Sequence, residues 1–121
     1  MRILLVDDDQ GTRLTLGFLL SRRGLEVRTA SDGPEALRLL RQEPYDWLVT
    51  DADMSPMSGF VLASLAKQTL PALRIVMISA VFEEKDTSGF PILRFFPKPV
   101  DGEAVATFLQ GHPLPPATYS S

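Results

Sequence analysis

Six polar side chains lie at or just after the ends of short apolar runs in this sequence. They are Asp7, Asp8, Asp9, Asp51, Ser79 and Lys98. If each apolar run is a buried strand of one parallel sheet, the strand ends meet at the same edge of that sheet. The spacing therefore predicts a cluster of carboxylates that includes one hydroxyl and one ammonium group.

A cluster of carboxylates predicts a bound cation. Carboxylates held close together repel one another and raise their own pKa values unless a positive charge lies among them. Oxygen ligands without Cys or His suit a hard ion, and Mg²⁺ is usually held by one or two carboxylates, waters and a phosphate. Mg²⁺ together with Lys98 would neutralise the oxygens of a phosphoryl group in transfer. Asp51 is then predicted to be a nucleophile that forms an aspartyl phosphate.

Strands alternate with helices along the chain. The predicted strands are Ile3 to Val6, Leu25 to Thr29, Trp47 to Thr50, Leu73 to Ser79 and Ile92 to Phe96. The predicted helices are Thr12 to Arg23, a segment that starts at the capping pair Asp32 and Glu35, Gly59 to Gln68, and a last helix capped by Asp101 that runs to about Gln110. In the first helix, Leu14, Phe18 and Leu19 are expected on one apolar face. Parallel strands need crossover helices, so the pattern predicts an open parallel α/β sheet with helices on both faces.

The segment between Ser79 and the fifth strand is short. It contains Thr87, Ser88 and Gly89, which are poor residues for a helix interior. Glu83 to Asp86 is expected to form a single turn, which is well below the length of a self-sustaining helix. The sequence therefore predicts that the fourth helix is short or irregular.

The composition limits the classes of function. Hydrophobic residues make up 45% and charged residues 22% of the 121 residues, as expected for one globular domain. The net charge of −3 predicts no direct binding to nucleic acid or to a membrane surface, and the lack of Cys excludes disulfides and thiolate metal sites. We expect one domain at residues 1–111, a Pro- and Ser-rich tail at residues 112–121, and a cytoplasmic location.

The chain resembles the receiver domain of two-component response regulators. The resemblance rests on the combination of four motifs: Leu4-Leu5-Val6-Asp7-Asp8-Asp9, Leu48-Val49-Thr50-Asp51 with Met54 and Gly59, Met77-Ile78-Ser79-Ala80, and Phe95-Phe96-Pro97-Lys98-Pro99. It implies a flavodoxin-like sheet in the order 2-1-3-4-5, one of the two orders natural for such a pattern. It also implies a switch that accepts a phosphoryl group from a histidine kinase or a histidine phosphotransfer protein and changes its binding to a partner. Such a domain is not an enzyme beyond its own phosphorylation and dephosphorylation, and the resemblance does not identify the downstream output.

The resemblance implies how Mg²⁺ would be held. Asp51 takes the phosphoryl group, and Mg²⁺ is held by Asp8, by the Asp51 side chain and by the backbone carbonyl of Asp53. Asp7 assists through a metal-bound water. The residue types leave open whether Asp9 and Asp53 tune the chemistry or are simply exposed acids.

The resemblance also implies which residues contact the phosphoryl group. Ser79 would donate a hydrogen bond to a phosphoryl oxygen, Lys98 would pair with the group, and Phe95 would be the aromatic residue whose rotamer follows Ser79. The Lys98-Pro99 bond is expected to be cis. The sequence departs from the family pattern after Met54, where Ser55 stands in place of the usual Pro.

Two other functions remain open from the residues. The run Asp51-Ala52-Asp53-Met54-Ser55 resembles the first motif of haloacid-dehalogenase phosphatases, in which the second Asp is a general acid. That motif usually needs a later acidic pair, whereas the acidic pair here comes first. The other alternative is a pseudo-receiver that binds a partner without being phosphorylated.

Overall fold

A five-stranded parallel sheet with helices on both faces forms the computed structural model, which describes residues 1–112. The strands are β1 (Arg2–Val6), β2 (Glu26–Ala30), β3 (Trp47–Asp51), β4 (Arg74–Ser79) and β5 (Arg94–Pro97). The α-helices are α1 (Gln10–Arg22), α2 (Gly33–Gln42), α3 (Gly59–Thr69) and α4 (Gly102–Gln110). The predicted tail at residues 112–121 lies outside the described residues except for His112.

The strand order is β2-β1-β3-β4-β5, and every neighbouring pair is parallel. This confirms the predicted flavodoxin-like arrangement. The register brings the strand ends level, because Val6 pairs with Thr50 in β3 and Ser79 pairs with Pro97 in β5. The residues that follow these strands therefore meet at one edge of the sheet.

The strands separate two apolar layers, since successive side chains point to opposite faces of a sheet. In β1, Leu4 and Val6 pack under α2 and α3, whereas Ile3 and Leu5 pack under α1 and α4. Trp47 is fully buried in the second layer, as expected for a core residue. The two layers hold the sheet between the helices, and so fix the edge at which the residues that follow the strands meet.

The buried face of α1 differs from the predicted one. Leu14 and Phe18 are 61% and 65% exposed, and the buried residues of this helix are Leu16, Gly17 and Leu20. The backbone of α1 approaches the sheet at Gly17, where a Cβ atom would lie 3.7 Å from the Leu5 side chain. Gly17 therefore lies on the buried face of α1, where an added Cβ atom would meet the sheet at an ordinary van der Waals distance.

The prediction of a short fourth helix is confirmed. Between β4 and β5 the chain forms a single 3-10 turn at Glu84–Thr87, and none of its residues is buried. A reciprocal capping box holds this turn, in which the Asp86 carboxylate accepts a hydrogen bond from the Glu83 backbone N–H. We call residues 81–90 the β4–β5 segment.

No helix within residues 1–112 is long and apolar enough to cross a membrane.

Candidate functional site

Three carboxylates meet at the carboxyl end of the sheet. Asp7 and Asp8 directly follow β1, and Asp51 is the last residue of β3. One oxygen from each of the three side chains lies within 4.8 Å of the others. Asp7 and Asp51 are buried, at 0% and 3% exposed, whereas Asp8 is exposed to solvent. The cluster is thus open on the side of Asp8.

Lys98 bridges the two buried carboxylates. Its Nζ atom lies 3.0 Å from Asp7 Oδ2 and 3.3 Å from Asp51 Oδ1. The position of Lys98 is fixed through its backbone, because its N–H donates to the Ser79 carbonyl at 2.8 Å and continues the β4–β5 pairing. The ammonium group therefore sits beside Asp51 in the free protein, ahead of any incoming phosphoryl group.

One positive charge does not neutralise three carboxylates. Burial and the negative charge of Asp7 raise the pKa of Asp51 to about 6, although Lys98 opposes this rise. Burial alone would lower the pKa of Lys98, but its contacts with Asp7 and Asp51 outweigh burial and raise that pKa. Lys98 therefore remains an ammonium group, and the site retains an excess of negative charge at neutral pH.

The residues present fit a hard divalent cation. Asp7 Oδ1 accepts a hydrogen bond from the Asp9 backbone N–H at 2.8 Å. Asp7 Oδ2 is buried and, among residues 1–112, accepts no well-aligned hydrogen bond, although Lys98 lies beside it. Carboxylate oxygens from Asp7, Asp8 and Asp51, without His or Cys, are a donor set that favours Mg²⁺ over softer metals.

Asp9 has a structural role in the free protein. Its Oδ2 atom accepts hydrogen bonds from the backbone N–H and the hydroxyl of Thr12, at 2.8 and 2.6 Å. These bonds make Asp9 the N-cap of α1 and lower its pKa. The spacing of Asp9 and Thr12 is an N-cap signal in the sequence, so this role could have been predicted.

The Ser79 hydroxyl holds the start of the β4–β5 segment. Ser79 Oγ accepts hydrogen bonds from the backbone N–H groups of Val81, at 3.0 Å, and Phe82, at 2.8 Å. Ser79 is buried, and Asp51 pairs with Ile78, so Ser79 lies one residue further along the neighbouring strand. Because the Ser79 hydroxyl oxygen accepts both of these bonds, its own proton remains available for donation to another group.

The remaining predicted residues lie around the cluster. Phe95 is half-buried in β5 opposite Met77, and Asp53 is exposed, with a side chain outside the group of three clustered carboxylates. The Lys98-Pro99 bond is cis, as expected, and the Ser55-Pro56 bond in the loop after Asp51 is also cis.

Gly59 brings α3 against the end of β3. A Cβ atom at this position would lie 2.0 Å from the Asp51 carbonyl oxygen and 2.8 Å from the Ala52 Cα atom. The Gly59 N–H also donates to the Ala52 carbonyl at 2.9 Å. No side chain fits here without movement of the backbone, which explains why the loop after Asp51 ends in glycine.

The sequence profile of the response regulator receiver domain matches residues 3–109, nearly the whole of the described chain. The chain belongs to this family. Receiver domains act in two-component signalling as signalling modules and are generally not enzymes.

Curated relatives share the domain but differ in length. The transcriptional regulatory protein GlrR of Escherichia coli is 33% identical over 106 residues, which make up 85% of this chain and 24% of GlrR. An uncharacterised 14.6 kDa protein of Leptolyngbya boryana is 39% identical over 111 residues, which make up 84% of this chain and 81% of that protein. The receiver domain thus spans about a quarter of the length of GlrR.

Solved receiver structures have the same fold. The chemotaxis protein CheY4 of Vibrio cholerae matches with a TM-score of 0.84 at 25% identity, over 91% of this chain and 96% of that one. The receiver domain of the hybrid histidine kinase CckA matches with a TM-score of 0.78 at 30% identity, over 92% of this chain and 97% of that one. With the family established, nothing in the site favours the phosphatase alternative, whose general acid would have to be the exposed Asp53.

Proposed function

We propose that this receiver domain accepts a phosphoryl group on Asp51 and thereby changes its binding to a partner. The observation that carries the proposal is the contact of Lys98 with both Asp7 and Asp51. In this pair the buried Asp51 carboxylate supplies the nucleophile, and the Lys98 ammonium group supplies part of the charge neutralisation that phosphoryl transfer needs.

In the proposed transfer, an Asp51 carboxylate oxygen attacks the phosphorus atom of a phosphohistidine. The new P–O bond forms as the P–N bond breaks, and the imidazole nitrogen leaves with the bonding electrons and takes up a proton. Dephosphorylation is attack by water on phosphorus, which breaks the P–O bond to Asp51 and releases inorganic phosphate. The domain would carry out only these reactions on itself.

Mg²⁺ is the proposed cofactor. Asp8 and Asp51 would hold it with the Asp53 backbone carbonyl, and Asp7 would contact it through a water. When bound, Mg²⁺ would supply neutralisation of the phosphoryl oxygens, which a single ammonium group leaves incomplete. The support is the set of three carboxylates within 4.8 Å of one another, whose negative charge Lys98 alone does not neutralise.

Lys98 and Ser79 are proposed to bind the phosphoryl group. Lys98 is already within ion-pair distance of one Asp51 carboxylate oxygen, Oδ1. Ser79 would donate its hydroxyl proton to a phosphoryl oxygen while it still accepts from the Val81 and Phe82 N–H groups. Phe95 is proposed to change rotamer with Ser79, as the family resemblance implies.

The proposed donor is a histidine kinase or a histidine phosphotransfer protein, and the cytoplasm is the expected compartment. Relatives such as GlrR are transcriptional regulators by name, but the receiver domain spans only 24% of that protein. The output on which this domain acts is therefore left unassigned. Its net charge of −3 favours a protein partner over direct contact with nucleic acid.

Incubation with acetyl phosphate and Mg²⁺, followed by intact mass measurement, tests the proposal. We expect one added phosphoryl group that is labile to hydroxylamine, and we expect Asp51→Asn to abolish it. Asp53→Asn is the matched control, because it removes the same charge from an exposed position and should still take up the label, whatever the rate at which that label decays. A label that persists in Asp51→Asn would place the acceptor elsewhere, and the absence of any label or Mg²⁺ binding would favour a pseudo-receiver.

Asp53 is proposed to tune the lifetime of the phosphoryl group. It stands two residues past Asp51 and is exposed, so its carboxylate could orient the attacking water or repel an anionic donor. We expect Asp53→Ala to change the decay rate of the labelled protein by about threefold or more. An unchanged decay rate would leave Asp53 as an exposed acid without a role in the chemistry.

A further inference from the structure

Three phenylalanine rings form an exposed cluster beside the β4–β5 segment. Phe60 in α3 lies with its ring centroid 5.1 Å from that of Phe82 and 4.8 Å from that of Phe90. We call Phe60, Phe82 and Phe90 the aromatic patch. It joins the two ends of the β4–β5 segment to the first turn of α3.

The aromatic patch is only partly used by the fold. Phe82 and Phe90 remain 37% and 41% exposed after packing on Phe60, and the neighbouring Val61 and Val81 are exposed as well. Single exposed apolar residues are ordinary, but a contiguous group that includes aromatic rings is typical of interaction surfaces. The patch therefore offers an apolar anchor site as well as a local structural contact.

Acidic residues follow Phe82 at one end of the aromatic patch, whereas Phe90 at the other end lines a pocket with Lys67 and Arg74. Glu83, Glu84 and Asp86 are all exposed and follow Phe82 directly, and Lys85 is the single cation between Phe82 and Phe90. Lys85 lies 3.6 Å from Glu83 and so offsets one of these charges. We call Glu83, Glu84 and Asp86 the acidic rim. An apolar centre whose border is negative on the Phe82 side selects for a partner that combines apolar anchors with positive charge on that side.

We propose that the aromatic patch and the acidic rim bind a cationic segment of a partner protein, in which Lys or Arg residues flank an aromatic or aliphatic anchor. The anchor packs against Phe82 and Phe90, and the cations face the acidic rim. A second copy of this chain is a poorer occupant, because symmetric contact through this surface would bring two acidic rims together on molecules that each carry a net charge of −3.

The position of this surface links it to the proposed phosphoacceptor site. The backbone N–H of Phe82 donates to Ser79 Oγ at 2.8 Å, so one residue belongs both to the aromatic patch and to the contacts of the Ser79 hydroxyl. Binding of a cationic segment is proposed for the unphosphorylated chain and does not depend on Asp51 chemistry. The two proposals can therefore fail separately.

Selection of peptides from a random display library on the full chain tests the surface. We expect the selected peptides to be enriched in Lys and Arg next to Phe, Trp, Leu or Ile, and their binding to weaken with rising salt. Binding of the selected peptides is then measured by fluorescence anisotropy to variants of the chain. Phe82→Ala is expected to weaken binding by about tenfold or more, since aromatic anchors carry much of the affinity at interfaces.

Glu84→Lys is the decisive variant, because the side chains of Glu83 and Asp86 also form the capping box of the 3-10 turn. We expect Glu84→Lys to weaken binding by about threefold to tenfold at low salt, as a reversed charge at the border of an interface should. Glu26→Lys makes the same charge change on β2, at the opposite edge of the sheet, where it also removes a surface ion pair with Arg2, and it should leave binding unchanged. Phe18→Ala, which removes an exposed ring from α1, is the matched control for Phe82→Ala.

Three outcomes would overturn the proposal. Selected peptides that are acidic or without charge preference would contradict the role of the acidic rim. Equal effects of Glu84→Lys and Glu26→Lys would place the binding surface elsewhere. If sedimentation shows that the chain dimerises and that Phe82→Ala abolishes the dimer, the occupant of the aromatic patch is a second copy of the chain.

Discussion

Replacement of Asp51 by Asn is expected to stabilise the folded receiver domain near neutral pH in the absence of Mg²⁺. Asn keeps the shape of the side chain but removes a buried negative charge that lies next to Asp7. The pKa of Asp51 is raised from its ordinary value of 3.8 to about 6, because burial and Asp7 outweigh Lys98. Between pH 3.8 and about 6, Asp51 is therefore mostly protonated in the folded chain and mostly ionised in the unfolded chain.

The size of the effect follows from this pKa. Each factor of ten in the acid dissociation constant corresponds to about 1.4 kcal/mol, so ionisation of Asp51 costs the folded state roughly 3 kcal/mol. An acid whose pKa is higher in the folded state loses stability as the pH rises through the window from 3.8 to about 6. At neutral pH, Asp51→Asn should therefore raise the free energy of unfolding by up to about 3 kcal/mol, or roughly 10 °C in Tm.

Urea unfolding of both proteins between about pH 4 and pH 7, with EDTA present, measures this difference. We expect the two proteins to be similarly stable at the acidic end and to diverge as the pH rises. Mg²⁺ should then stabilise the wild-type chain more than Asp51→Asn. Asp53→Asn controls for the change in net charge. Two results would show that burial of the Asp51 charge is not costly. One is a wild-type chain that is more stable than Asp51→Asn at neutral pH. The other is a difference in free energy of unfolding that does not grow with pH.

Three further predictions concern neighbouring residues. Asp8→Ala should weaken Mg²⁺ binding in calorimetry with little effect on stability. Asp9→Ala should lower the free energy of unfolding by about 1 kcal/mol through loss of the N-cap and leave Mg²⁺ affinity nearly unchanged. The reverse pattern would contradict the roles assigned to the two residues. Gly59→Ala should destabilise the chain by about 2 kcal/mol or more in denaturant unfolding, because its Cβ would meet backbone atoms, and an unaffected midpoint would mean that α3 moves freely. Amide hydrogens of residues 83–90 should exchange at least about a hundredfold faster than those of the α3 core, because few of their contacts are buried; equal protection would show that the β4–β5 segment is as stable as a regular helix.

The strand ends and the residues of the site could be predicted from the sequence because apolar runs mark buried parallel strands. Once the runs before Asp7 and Asp51 are strands of one sheet, the position of these carboxylates at a common edge follows from topology. The short 3-10 turn could also be predicted, since Thr87, Ser88 and Gly89 disfavour a helix. These features depend on local composition, which the sequence displays directly.

Features that depend on tertiary packing could not be predicted. The α1 helix packs on the sheet through Leu16 and Leu20, whereas the predicted face contains Leu14 and Phe18, which are exposed. The packing of Phe82 and Phe90 depends on Phe60, which lies in a different element. The burial of Asp7, in contrast to the exposure of Asp8, is likewise set by the fold, because adjacent residues in a loop carry no signal of which one points inward.

The exposed 3-10 turn makes this chain suitable for a site-specific optical reporter. The chain has no Cys, so Ser88→Cys would give a single thiol for attachment of an environment-sensitive dye. Ser88 is exposed and directly follows the turn, in a segment that begins at the hydrogen bonds to Ser79. A dye at this position would report changes near the Ser79 hydroxyl in real time without disturbing the buried layers of the sheet.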